Sequence, residues 1–463
     1  MRRAAAIAIG VVLALGCAQL GARRGAPPIR ELEPPPLPAP APTAERFVLV
    51  TIHGLTSDRY LGPGAPMANL AALARGGAAA QAMTPVYPAT VYSTHATLAT
   101  GVEPAKHGVG GDHRITAHGV SAAFLDQASD LRAPTLFDAA ARSGARVAAL
   151  DWPSTGGAAL ADLAPDLALD PGASWVDALG KVGAGRAAEL ASRAGGANAA
   201  ALRPGAARDA ALATMACGLL VGPNPPRLLA LRLSRTAEAL GAQPPDSPAA
   251  TGAFAAADMD LSRMLRCLSD AGLLASTALV VAGDFGVVAA HTELRPGVAL
   301  ADAGLLVPSG DGVQKWDAIT RANGGSAFVY AADDDAAVLA RRALETFANE
   351  SGASRVVSAK EMVARGADPE AWFGLEAEPG FVFGDATTGP AIGAAPVASA
   401  SVEASNDAAG AAGFVAWGPR IRAGVRIPRM RETDVAPTLA HWMGLALDQA
   451  QGRALVGLFG GAQ

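Results

Sequence analysis

Three places in this 463-residue chain put chemically capable side chains at or near the ends of apolar runs. FVLVTIH (47–53) closes on His53, and LVVAGD (279–284) closes on Asp284. Between them, TVYSTH (90–95) gathers the hydroxyls of Thr90, Ser93 and Thr94 beside His95. Imidazole and carboxylate are both zinc ligands, so one chemistry open to this set is a single divalent ion on His53 and Asp284. A zinc site normally takes three or four protein ligands, and two hold an ion weakly unless others join them. The other chemistry is metal-free hydrolysis, with Thr90 or Ser93 as nucleophile.

Residues so far apart in sequence meet only if a fold gathers strand ends. FVLVTIHGL (47–55) reads as a buried parallel strand ending at a glycine. A helix is expected near Met67 to Arg75, closed by Gly76 and Gly77. Helix, glycine turn and strand recur over 133–153 and again over 260–286, and RLLALRL (227–233) is a further strand. Strands alternating with helices imply an α/β fold with a mostly parallel sheet. Function in such folds gathers at the carboxyl ends of the strands. Those ends are His53, the loop after Val86, the region after Leu233, and Asp284. Residues 154–226 read as a helical insertion, and 327–383 as a small subdomain. Hydrophobic residues make up 51% of the chain, enough for a large core. The net charge of −5, with both signs mixed, leaves no footprint for nucleic acid.

The first 17 residues read as an export signal: Arg2 and Arg3, an apolar run from Ala4 to Gly16, then Cys17. A small residue directly before a cysteine is what lipoprotein processing requires, so Cys17 is the expected lipidation site. Residues 18–45 hold eight prolines and read as a semi-rigid tether. These features imply a cell-envelope or periplasmic protein held to a membrane by a lipid anchor. Cys217 and Cys267 could pair in an oxidising compartment, although two buried free thiols are the expectation.

Six stretches in order resemble the type I phosphodiesterase/nucleotide pyrophosphatase branch of the alkaline phosphatase superfamily. They cover 47–61, 66–111, 134–155, 279–286, 414–424 and 433–445. The resemblance implies a three-layer α/β sandwich with a mostly parallel central sheet and inserted subdomains. It also implies two metal ions, usually zinc, about 4 Å apart, that clamp a phosphoryl group. A threonine at a helix start attacks phosphorus, and three Asp and three His hold the metals.

Mapped onto this chain, most of those positions are changed. The first Asp is His53, in His53-Gly54. The nucleophile, four residues before the His of Thr-x-x-x-His, falls on Val91. Thr90 is adjacent, but one residue along a helix turns a side chain by about 100°, so it is expected to point elsewhere. The phosphoryl-binding Asn falls on Thr94, and His95 and His107 are expected to make structural hydrogen bonds. The next Asp falls on Thr236 or Ala237 and its His on Leu240 or Gly241, with Glu238 a solvated charge. Asp-His-Gly has become Asp284-Phe285-Gly286. No histidine lies between His291 and His441, so the final loop ligand, in 401–413, is lost. His291 is not expected to stand in, and His441 reads as a packed core residue. One metal site is expected to be gone, and the other is reduced to His53 and Asp284.

The expectation is therefore a pseudoenzyme that uses the old cleft to bind a ligand or envelope protein, or serves a structural role. No cofactor is expected beyond one weakly held zinc or other divalent ion. The alternative is a divergent hydrolase with altered or single-metal chemistry.

Overall fold

The structure is a computed structural model that describes residues 36–41, 43–166, 206–310, 312–401 and 410–460. The signal segment with Cys17, most of the proline-rich tether, 167–205 of the expected insertion and 402–409 of the final ligand loop lie outside the described residues. Among the described residues, no helix is long and apolar enough to cross a membrane.

A nine-stranded sheet forms the centre. Its strands are β1 (Arg46–Ile52), β2 (Ala78–Thr84), β3 (Val147–Trp152), β4 (Asp162–Pro165), β5 (Leu228–Leu233), β6 (Thr277–Gly283), β7 (Ala412–Trp417), β8 (Val425–Ile427) and β9 (Met430–Arg431). The order is β8-β2-β7-β6-β1-β5-β3-β4, and β9 pairs with β2. β1 lies parallel to both β5 and β6. β7 runs antiparallel to β6 and β2.

β1 shows why its sequence is apolar at nearly every position. Val48, Val50 and Ile52 point to one face, where they join helices α1 (Ala68–Gly76), α4 (Ala206–Val221) and α6 (Pro248–Asp270) in one core. Phe47 and Leu49 point to the other, toward α2 (Val91–Thr100), α3 (Leu136–Arg142) and α8 (Val435–Met443). A strand covered on both faces has no polar side to show, which makes the three-layer sandwich legible in its residues.

A third core lies apart from these two. Strands Ala318–Asn323, Ser326–Ala331, Phe373–Ala377 and Ser354–Val357 form an antiparallel sheet. Helix α7 (Asp334–Ser351) covers it through Leu344 and Phe347. The 323–326 hairpin tip of this sheet carries Asn323 and Gly324 to the cleft described below. The described part of 154–226 holds β4, which extends the sheet edge beyond β3, and α4.

Two expectations are corrected. Cys217 in α4 and Cys267 in α6 form a disulfide, with Cα atoms 6.1 Å apart. The two helices pack side by side against one sheet face, an adjacency that lies outside either segment. His441 is exposed on α8 rather than packed in the core. Its ring rests 5.2 Å from that of Phe459.

Candidate functional site

β1 and β6 end side by side, and this brings His53 to Asp284. The last pair in register is Ile52 with Gly283. Gly283 has to be glycine, because a Cβ there would lie 2.2 Å from the Leu55 carbonyl oxygen. Gly54 turns the chain with φ +68° while Leu240 of α5 (Arg235–Ala242) packs over it. The carbonyl end of each strand thus points one polar side chain at the other.

Asp284 is fully buried, and three donors converge on its carboxylate. His53 Nδ1–H donates to Oδ2 at 2.7 Å. The backbone N–H groups of Gly54 and Phe285 donate to Oδ1 at 2.9 and 2.8 Å. Burial pushes the carboxyl up, but the His53 pairing and the other contacts outweigh it and hold the group down at about 2. The Phe285 ring meets the His53 ring edge-on, with centroids 5.1 Å apart.

This donor set does not fit a tightly held zinc. Two ligands bonded to one ion at about 2.0–2.2 Å face the ion, whereas Nδ1 and Oδ2 here face each other across a proton. Oδ1 is occupied by two N–H donors. Among the described residues, no three His, Cys, Asp or Glu side chains gather as a metal would need.

The cleft above the pair encloses about 360 Å³ and is lined by His53, Thr90, Val91, Asp112, Leu240 and Phe285, among others. Val91 opens α2, and Thr90 precedes it in extended backbone at φ −107°, ψ 164°. Thr90 therefore lines the cleft together with Val91. The expected 100° turn does not arise, because the helix begins one residue later. The Ser93 and Thr94 hydroxyls are fully buried and donate to the carbonyls of Pro88 at 2.5 Å and Thr90 at 2.8 Å. Neither reaches the cleft.

His95 donates from Nδ1 to Val91 O at 2.8 Å and accepts at Nε2 from the Thr51 hydroxyl at 2.9 Å. Burial, reinforced by Arg232, pushes its pKa down to about 4, so it is neutral. His107 accepts from Val109 N–H at Nδ1 and donates from Nε2 to the Thr97 hydroxyl. Both rings serve to brace α2. His291 is exposed on the strand Val287–Leu294, against Phe381, and is not among the cleft-lining residues. Glu238 is exposed.

Sequence reasoning missed two features. Asp112 lines the cleft and accepts from Tyr92 N–H at 2.9 Å, and burial pushes its carboxyl up. Its one signal was an acid following Gly110-Gly111. The second is a buried ion network that joins β3, β5 and α4. Arg232, 1% exposed on β5, pairs with Asp166 at 2.9 Å, and Arg208 pairs with Asp151. Burial opposes the charge of Arg232, but Asp166 and Asp151 outweigh it, and Asp284 acts in the same direction. An arginine inside the strand LLALRL was the visible clue.

With the geometry in place, three comparisons bear on the chain. The sequence profile of the type I phosphodiesterase/nucleotide pyrophosphatase family matches residues 47–367. Murine ectonucleotide pyrophosphatase/phosphodiesterase 5, in an inactive variant in complex with AMP, superposes with a TM-score of 0.61 at 15% identity. The human protein of the same name superposes with a TM-score of 0.63 at 14% identity. In both cases 90% of this chain covers 100% of the other. No curated protein matches by sequence.

Proposed function

Since this chain belongs to the type I phosphodiesterase/nucleotide pyrophosphatase family, we propose that it is an exported member that has given up two-metal phosphoester hydrolysis and now serves a binding or structural role. The observation that carries this reading is the state of Asp284. Its carboxylate is satisfied by three protein donors and does not present lone pairs to an open space. Valine at the nucleophile position and phenylalanine beside Asp284 support it further. Without fixed metal charges, little remains to stabilise a phosphoryl transition state. The cleft is still open, so a ligand or an envelope protein remains a suitable partner.

The test is zinc content and hydrolysis of a generic aryl phosphodiester by the purified chain. Metal well below one equivalent and hydrolysis at background, with and without added zinc, are expected. Stoichiometric zinc, with activity lost in both His53→Ala and Asp284→Ala, would overturn the reading.

A divergent, metal-free hydrolase is favoured by one observation: Thr90 and the Asp112 carboxyl line the same cleft. A zinc-independent activity abolished by Thr90→Val would support that alternative instead.

The envelope location rests on the export signal, the proline-rich tether and the Cys217–Cys267 bridge, which suits an oxidising compartment. Fractionation should recover the chain with membranes, and Cys17→Ser should release it to the soluble fraction. An unchanged membrane fraction in that variant would remove the lipid anchor.

A further inference from the structure

The cleft over the His53–Asp284 pair presents acceptors and no fixed cation. Asp112 and Asp385 line it with His53, His113 and Thr90, and among the described residues no Lys or Arg belongs to its lining. The groups that matter are open to a ligand. Asp385 is exposed, Asp112 and His113 are partly exposed, and the His53 side chain is 12% exposed. Val91 and Val287, both partly exposed, supply an apolar wall beside them.

The protein meets only part of what these acceptors can take. Asp112 Oδ1 accepts from Tyr92 N–H at 2.9 Å, and Asp385 Oδ1 accepts from Ala322 N–H at 2.7 Å. A carboxylate has about four acceptor positions. His53 adds a third acceptor. Its Nδ1–H is spent on Asp284 Oδ2 at 2.7 Å, so in the neutral ring the lone pair lies on Nε2. Nε2 bonds to no described residue and is not closed off from water. The His113 ring packs 4.2 Å from that of Phe124 and is the other titratable group of the lining. The balance of charge decides what fits. A phosphoryl group would face two acids with no ammonium or guanidinium beside them. A cation placed there is attracted by both, and it offsets the burial that pushes the Asp112 carboxyl up.

We propose that the cleft binds a small organic cation, a primary ammonium for which Asp112 and Asp385 supply the opposing charge and His53 Nε2 an acceptor, with an apolar body along Val91 and Val287. The proposal rests on the reading of the cleft as a binding site and names the class of ligand it takes. A volume of about 360 Å³ lies at the small end of ligand pockets, which suits one ring or short chain with its ammonium.

The experiment is calorimetric titration of the full chain with four compounds of similar shape: phenethylammonium, 2-phenylethanol, phenylacetate and phenyl phosphate. Saturable binding of the ammonium, about tenfold or more tighter than the alcohol, is expected, with neither anion saturating. Asp112→Asn keeps an acceptor for Tyr92 N–H and should weaken the ammonium about tenfold. Asp385→Asn, on an exposed side chain, should weaken it severalfold, and an unchanged melting temperature shows that each variant is folded. Equal affinity for the alcohol, saturation by phenylacetate, absence of saturable ammonium binding, or unchanged affinity in both variants would overturn the proposal. Preferential binding of phenyl phosphate without turnover would overturn it while leaving the cleft a binding role. Zinc-dependent hydrolysis of phenyl phosphate would overturn that role itself.

Discussion

Arg232→Met is expected to destabilise the domain by about 3–5 kcal/mol, the usual cost of removing one partner of a buried ion pair. Arg232 is buried on β5, and the Asp166 carboxylate 2.9 Å away is 2% exposed. Asp151, fully buried beside Arg208, also helps to hold its charge. A methionine fills much of the volume but leaves these carboxylates short of one positive charge in a medium that solvates them poorly. Urea unfolding of the two chains measures the difference. The double variant Arg232→Met/Asp166→Asn removes charge from both sides and should recover a large part of the loss. A loss below about 1 kcal/mol, as for exposed pairs, would mean that the network is not dry. Breaking the network should also disturb His95 and Asp284, since Arg232 acts on both.

Removing the disulfide should have an effect of the same size. Cys217 and Cys267 are 50 residues apart, and the chain-entropy account of a loop that long gives roughly 4 kcal/mol. The stabilisation comes mainly from restricting the unfolded chain, so Cys217→Ser/Cys267→Ser should keep the native packing of α4 on α6 while unfolding at lower denaturant. Adding a reductant to the unaltered chain should reproduce the shift, and adding it to the double variant should do nothing. Two titratable thiols at these positions in the chain as isolated from an oxidising compartment would contradict the pairing.

Much of the central sheet was legible because its signals are local. β1, β5 and β6 are each near-continuous apolar runs, and each is followed by a polar or glycine-bearing turn. Val91 and Phe285 could be singled out because they sit inside recognisable surroundings. The start of α2 was not. Whether Thr90 is the last extended residue or the first helical one depends on one backbone angle, and this decides whether it lines the cleft beside Val91. The burial of His441 was misread because VAPTLAHWM is apolar on most sides. His441 faces solvent near Phe459, which an apolar composition does not reveal.

Residue order alone was enough to establish the α/β class and the family resemblance. Those are statements about identity at a position, and periodicity and spacing carry them. What His53 and Asp284 do with each other was decided only by tertiary structure. Two residues 231 apart become a 2.7 Å hydrogen bond because β1 and β6 pair in parallel register and end together. The same holds for Arg232 over Asp166 and for Cys217 against Cys267. A side chain's partners are chosen by what the fold packs against it. That choice depends on the whole chain, so the short segment around each residue does not contain it.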